Sequence, residues 1–186
     1  SVSKIREKAF PEFKNEKVYW KYLLRILLWH EENNLEAYSW RTDKNLYVIG
    51  ESHSLVSHRL NFTVSDSIMQ CRAKLIKGCK QWHLGNSSQN RYKNQFERIF
   101  LSLPKSSDVL LAIGEIDCRL DGGIIKHANK SPHKKIKNII VTTVENYLTY
   151  ILKNNSDRQH KVIIQGVPCP NIDITNITQL DIRQLI

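Results

Sequence analysis

The chain has 186 residues, 41% hydrophobic and 25% charged, which is enough for one domain with a sizeable core and short for two. Seven glycines, five prolines and no biased tract exclude long linkers and low-complexity disorder as organising features. A net charge of +10 and a pI near 9.5 favour anionic partners, whether nucleic acid, acidic polysaccharide or a membrane surface.

Residues 1–44 have helical character. From Lys17 to Trp29, Val18, Tyr22, Leu23, Ile26, Leu27 and Trp29 recur at helical spacing, with Lys21 and Arg25 opposite. This stretch is expected as an N-terminal helical segment ahead of an α/β domain spanning 45–186, packed outside a sheet or ending an upstream helical region.

The first strand is expected over Leu46 to Ile49, stopping at Gly50, with Glu51, Ser52 and His53 beyond it. An apolar run of strand length that ends at glycine and turns polar is how a strand buried on both faces reaches its carboxyl edge. A short extended piece is expected at Asn61 to Val64, and a second core strand over Arg72 to Ile76, closed by Gly78. Asn90 to Leu103 reads as an amphipathic helix ended by Pro104. A third strand follows over Val109 to Ile113, stopping at Gly114 and leading to Glu115, Asp117 and Arg119. A long helix is expected at about 136–152, with Ile140, Val144, Tyr147, Leu148 and Ile151 as its inner stripe. Lys161 to Gln165 is the fourth strand, closed by Gly166 and Val167-Pro-Cys-Pro170. Strands alternating with helices predict right-handed crossovers and a three-layer α/β/α sandwich with a mainly parallel sheet, the first strand lying between the second and third.

Cys71, Cys79, Cys118 and Cys169 have no metal-like spacing and read as reduced thiols. No apolar run approaches the ~20 residues of a membrane span, and no signal peptide is visible, so a cytoplasmic protein without membrane partners is expected. The densest basic stretch runs from Lys126 to Lys137 and includes Lys130, Lys134, Lys135, His127 and His133, which reads either as a solvated face or as an anion-binding patch.

Ligands of open α/β sheets bind at the carboxyl edge, so Ser52 and Asp117 are the first candidates for chemistry. A serine there acts as a nucleophile when an imidazole takes its proton and N–H donors meet the oxyanion; otherwise it caps the next helix. His53 and His83 lie beside strand-end glycines and are candidates to line the cleft. Glu115 is expected to pair with Arg119 in a network that holds the loop.

Tyr47-Val-Ile-Gly-Glu-Ser-His-Ser54 resembles the first block of the SGNH (GDSL-type) hydrolases, with Glu51 where that family has aspartate. Leu110-Leu-Ala-Ile-Gly-Glu-Ile-Asp117 resembles their third block, and Gly78, with Gly85 as the alternative, falls where the second-block glycine belongs. Gly-Glu-Ile-Asp-Cys-Arg and Trp82-His-Leu84 are similar to a branch attached to tetratricopeptide-type helices. The resemblance runs from about Leu46 to Asn171. It implies a flavodoxin-like sheet and a serine esterase or acyl-transfer site without metal or organic cofactor, acting on small acyl esters, acylated carbohydrate included. Ser52 would be the nucleophile, and the backbone N–H groups of Ser52 and Gly78 oxyanion donors.

Two features depart from that family. The third-block asparagine falls on Ile116, leaving Arg119, His53 or His83 to supply the missing donor, a contribution worth roughly 3 kcal/mol in oxyanion holes. The Asp-x-x-His block expected after the last strand is absent; Asp157-Arg-Gln-His160 precedes the fourth strand, at the wrong end of the sheet. Sixteen residues follow Pro170, rich in isoleucine and leucine. They suggest that the sequence is a fragment lacking its C-terminal strand and block, or that a partner chain covers the fourth strand. The competing functional reading is an inactive domain of the same fold that binds an anionic glycan, nucleic acid or protein through its basic surface.

Overall fold

The computed structural model describes residues 14–33, 42, 44–64, 66–119 and 122–166, and of residues 14–20, 30 and 31 only the backbone. It is an α/β structure built on a five-stranded, mostly parallel sheet. Helix α1 (Lys14–Glu32) precedes β1 (Asn45–Gly50), a 3₁₀ turn (Ser52–Ser57), β2 (Asn61–Val64) and β3 (Ser67–Leu75). Helices α2 (Gln81–Gly85) and α3 (Arg91–Ser102) lead to β4 (Asp108–Ala112) and a second 3₁₀ turn (Glu115–Cys118). The chain continues through α4 (Ile124–Lys130), α5 (Ile136–Asn155) and β5 (Lys161–Ile164).

The strand order is β2-β3-β1-β4-β5. β1 pairs in parallel with β3, Gly50 opposite Leu75, and with β4, Gly50 opposite Ala112. The expected placement of the first strand between the second and third is therefore observed. β2 instead runs antiparallel to β3, because two intervening residues make a hairpin and are far too few for a parallel crossover. That pairing also extends β3 backward to Ser67, five residues before the expected start at Arg72. β5 pairs with β4 and is the outermost strand on its side among the described residues. Residues 167–186, on which the expectations about the chain's end rest, lie outside the described residues.

Alternation along the strands divides two apolar clusters. Ile49, Val109 and Leu111 face Leu84 of α2, Phe96 and Phe100 of α3, and Tyr147 and Ile151 of α5, all nearly inaccessible to solvent. Leu46, Val48, Met69 and Cys71 form the second cluster with Phe62, Leu110 and Ala112. Among the described residues, helical side chains enter the first cluster only. The Phe96 and Phe100 rings stack at 5.0 Å, and burying each such side chain contributes about 1.5–3 kcal/mol.

Local signals explain the helix ends. Asn90 caps α3 by accepting from the backbone N–H groups of Tyr92 and Lys93, and the helix stops before Pro104. The inner stripe of α5 keeps Tyr147 and Ile151 of the five residues read from its periodicity and replaces the other three by Thr143. Thr143, Tyr147 and Ile151 are buried, whereas Ile140, Val144 and Leu148 are 43%, 37% and 37% exposed. The apolar arc of α5 is too wide to fix its rotation; contact with α2 does so, since a Cβ on Gly85 would lie 2.9 Å from both Asn146 Cβ and Tyr147 N.

The expected stripe of α1 also shifts. Tyr22, Leu23 and Ile26 are half-buried, while Leu27 and Trp29 are exposed. None of the described helices is long and apolar enough to cross a membrane. Cys71 and Cys79 are free thiols; Cys169 lies outside the described residues.

Candidate functional site

Gly50 closes β1 in close contact with β4. A Cβ there would sit 2.4 Å from the Ala112 carbonyl oxygen, so this strand end accepts only glycine without movement. Beyond it the chain enters the Ser52–Ser57 turn. Ser54 Oγ donates to the Glu51 carbonyl at 2.7 Å, and the Tyr22 hydroxyl donates to the Ser52 carbonyl at 3.0 Å, so the start of the turn is tied down. The Ile76 N–H donates to the Gly50 carbonyl, which sets the segment beyond β3 beside the segment beyond β1. Ser52 and Gly78 thus follow neighbouring strands at one edge, and Gly78 takes φ +72°, a left-handed conformation that glycine adopts without strain.

Glu51 is only 2% exposed, and its Oε2 has no hydrogen-bond partner among the described residues. Burial pushes its pKa up from 4.5 to about 7, and the neighbouring Glu115 and Asp117 carboxylates add to the rise. The Arg119 charge and the Glu115 backbone N–H act in the opposite direction. His53 Nδ1 lies 4.0 Å from Glu51 Oε1, and the imidazole is 61% exposed. Glu51, His53 and Glu115 each offer a ligand atom, all within 4.8 Å of one another, and among the described residues are spaced to hold a metal ion. Glu115 is already engaged: Arg119 Nε and Nη2 donate to its carboxylate at 2.7–3.0 Å. The expected Glu115–Arg119 pair is present, and Arg119 turns its guanidinium to that carboxylate. The three acidic and imidazole groups, with Gln165 and Gly166, line a small cleft.

Asp117 sits at the same edge, in the turn that follows β4. Its carboxylate accepts from the backbone N–H groups of Gln81 at 2.7 Å and Trp82 at 3.2 Å, and so anchors the start of α2. Burial raises its pKa, while these hydrogen bonds and the Lys80 charge pull the other way. His83 belongs to the same structure. Its Nδ1 accepts from the Lys80 backbone N–H at 3.1 Å, and its ring stacks on Tyr92 at 3.9 Å. Burial, with Lys80 and Arg91 nearby, lowers its pKa to about 4. At neutral pH the ring is therefore uncharged with its proton on Nε2, able to donate there and unable to take a proton from serine. His58 Nδ1 is likewise occupied, by the Ala73 backbone N–H.

Asp157 and His160 lie at the opposite end of the sheet, as their position before β5 implies. His160 is buried there, with Nδ1 accepting from the Ser107 backbone N–H. Gly85, the alternative second-block glycine, is required by the close approach of α2 to α5.

Sequence reasoning missed the part played by Lys80 and Trp82. With Asp117, His127 and Lys130 they line a cavity of about 210 Å³ between α2, α4 and α5. Trp82 and His127 also line an adjoining cavity that extends to His133, Lys134 and Lys135. The density of lysines from Lys126 onward signalled part of this surface; nothing local to Lys80 or Trp82 revealed that a helix from another part of the chain completes it.

In comparisons with known proteins, the chain matches no family model, no curated protein and no solved structure.

Proposed function

We propose that this chain is an SGNH-type serine hydrolase domain with a flavodoxin-like α/β/α arrangement, and that it hydrolyses small acyl esters at Ser52. One observation carries the reading. β1 and β4 are neighbours, the chain leaves the carboxyl end of β1 toward β3 and that of β4 toward β5, and Ser52 follows the carboxyl end of β1. Crevices at such switch points are where open α/β sheets bind ligands. The backbone N–H groups of Ser52, at the start of a 3₁₀ turn, and of Gly78 are the oxyanion donors in this reading.

Among the described residues no imidazole hydrogen-bonds the Ser52 hydroxyl. Of the three histidines near this edge, His58 and His83 have Nδ1 occupied by backbone N–H groups, which leaves His53. The proposal assigns His53 as the proton acceptor, oriented by the ionised Glu51 carboxylate. Ser52 Oγ then attacks the carbonyl carbon as its proton passes to His53. The tetrahedral intermediate expels the alcohol, which takes that proton, and water hydrolyses the acyl-serine by the reverse proton path. Because Glu51 must be ionised, the rate rises as pH increases through about 7.

The test is labelling by a fluorophosphonate serine probe. Labelling is expected in the folded wild-type chain, lost in Ser52→Ala and slowed at least tenfold in His53→Ala. Labelling that survives Ser52→Ala, or a folded chain that never labels, overturns the reading.

A further inference from the structure

The two cavities share Trp82, His127, Ile139 and Thr143 in their walls and together make a groove on the face where α2 meets α4 and α5, and nothing in the proposed reaction uses it. Its wall carries Lys126, Lys130, Lys134 and Lys135, none of which makes an ion pair with a described residue. Lys80 adds a fifth ammonium, anchored on the Gly122 carbonyl. Asp117, the carboxylate among the described lining residues, accepts from the Gln81 and Trp82 backbone N–H groups and interacts with Lys80, so at most one of the five ammonium charges is offset. Unpaired like charges held around a concavity repel one another and concentrate field in it, which an anionic ligand relieves.

Shape narrows the ligand further. The floor includes Ile139 and Thr143, and Trp82, 49% exposed, stands where the two cavities meet. A flat indole beside an apolar floor, ringed by ammonium groups, suits a ring that has an apolar face and carries anionic substituents. Single-stranded nucleic acid is held by successive aromatic platforms, and this groove presents one indole among its described residues. We infer that the groove binds an acidic polysaccharide, a chain of carboxylated or sulfated sugars, with one sugar packed on Trp82 and its neighbours' charges on the lysines. The inner end of the groove reaches Asp117, in the turn following β4 at the same sheet edge as Ser52. Resting on the hydrolase reading, the same chain is then the acyl-bearing substrate, gripped beside the nucleophile.

The experiment measures equilibrium binding of oligogalacturonate to the Ser52→Ala chain, which separates binding from turnover. Binding is expected to weaken at least tenfold between 50 and 200 mM salt. It should weaken at least tenfold in the double variant Lys126→Glu/Lys130→Glu and severalfold in Trp82→Ala, with unchanged circular dichroism and melting. Equal binding of uncharged dextran, or oligogalacturonate affinity indifferent to the double charge reversal, overturns the inference. Tighter binding of oligothymidylate than of oligogalacturonate overturns it in favour of a nucleic-acid groove. Retained binding without fluorophosphonate labelling would leave the groove standing and remove the hydrolase reading; labelling without binding would do the reverse.

Discussion

Replacing Glu51 by glutamine tests the electrostatics of the sheet edge directly. The carboxyl is 2% exposed, one oxygen lacks a partner, and its pKa stands at about 7 instead of 4.5. A folded-state pKa above the unfolded value means that the native state holds the proton more tightly. Stability from the protonated carboxyl is therefore complete below about pH 4.5 and is lost as pH rises through 7. At about 1.4 kcal/mol per unit the full loss is roughly 3 kcal/mol, and solvent reaching the neighbouring cleft brings the change between pH 5 and 8 to about 2 kcal/mol. Glu51→Gln has the shape of the protonated acid and no such cost. Urea unfolding of both proteins should give closely similar free energies at pH 5 and a variant about 2 kcal/mol more stable at pH 8. With m near 1–3 kcal/mol/M, that is a midpoint shift of about 1 M. His83, whose lowered pKa makes both proteins less stable as pH falls from 6.5 toward 4, cancels in the comparison. The same offset at both pH values, or a variant weaker than wild type at pH 8, would refute the assignment. By the proposed mechanism the variant also loses the rise in labelling rate near pH 7.

Two substitutions probe the framework around the site. Asp117→Ala leaves the Gln81 and Trp82 backbone N–H groups without their acceptor and should cost about 2–3 kcal/mol in urea unfolding, with Asp117→Asn costing less because one acceptor remains. Equal losses in the two variants would show that capping is not the role of this carboxylate. Gly50→Ala drives a Cβ into the Ala112 carbonyl and should lower the melting temperature by several degrees, corresponding to about 1–3 kcal/mol of overpacking. An unchanged melting temperature would mean that β1 and β4 separate at that point without cost.

The sequence by itself determined the parallel core of the sheet. Leu46 to Ile49, Val109 to Ile113 and Lys161 to Gln165 are short apolar runs ending at turn residues, and such runs have few ways to be buried. Local capping was equally legible: Asn90 before an amphipathic run, with Pro104 after it, marked α3 to within a residue at each end. The polar residues that follow Gly50 and Gly114 were also legible as candidates, because strand alternation and a chain-order rule suffice to bring them to one edge. Tertiary structure alone decided what those residues touch. Asp117 meets the N–H groups of Gln81 and Trp82, thirty-six and thirty-five positions away, and no periodicity encodes a contact at that separation. The rotation of α5 was only partly determined, because the apolar stripe of Ile140, Val144, Tyr147, Leu148 and Ile151 is wider than the face that is buried; the glycine-sized gap against α2 selected Tyr147 and Ile151 and left the other three exposed. The basic groove was half visible for the same physical reason. Charge density along the chain locates the lysines, but a concavity exists only once Trp82 and Lys80 are folded against a helix more than forty residues further on.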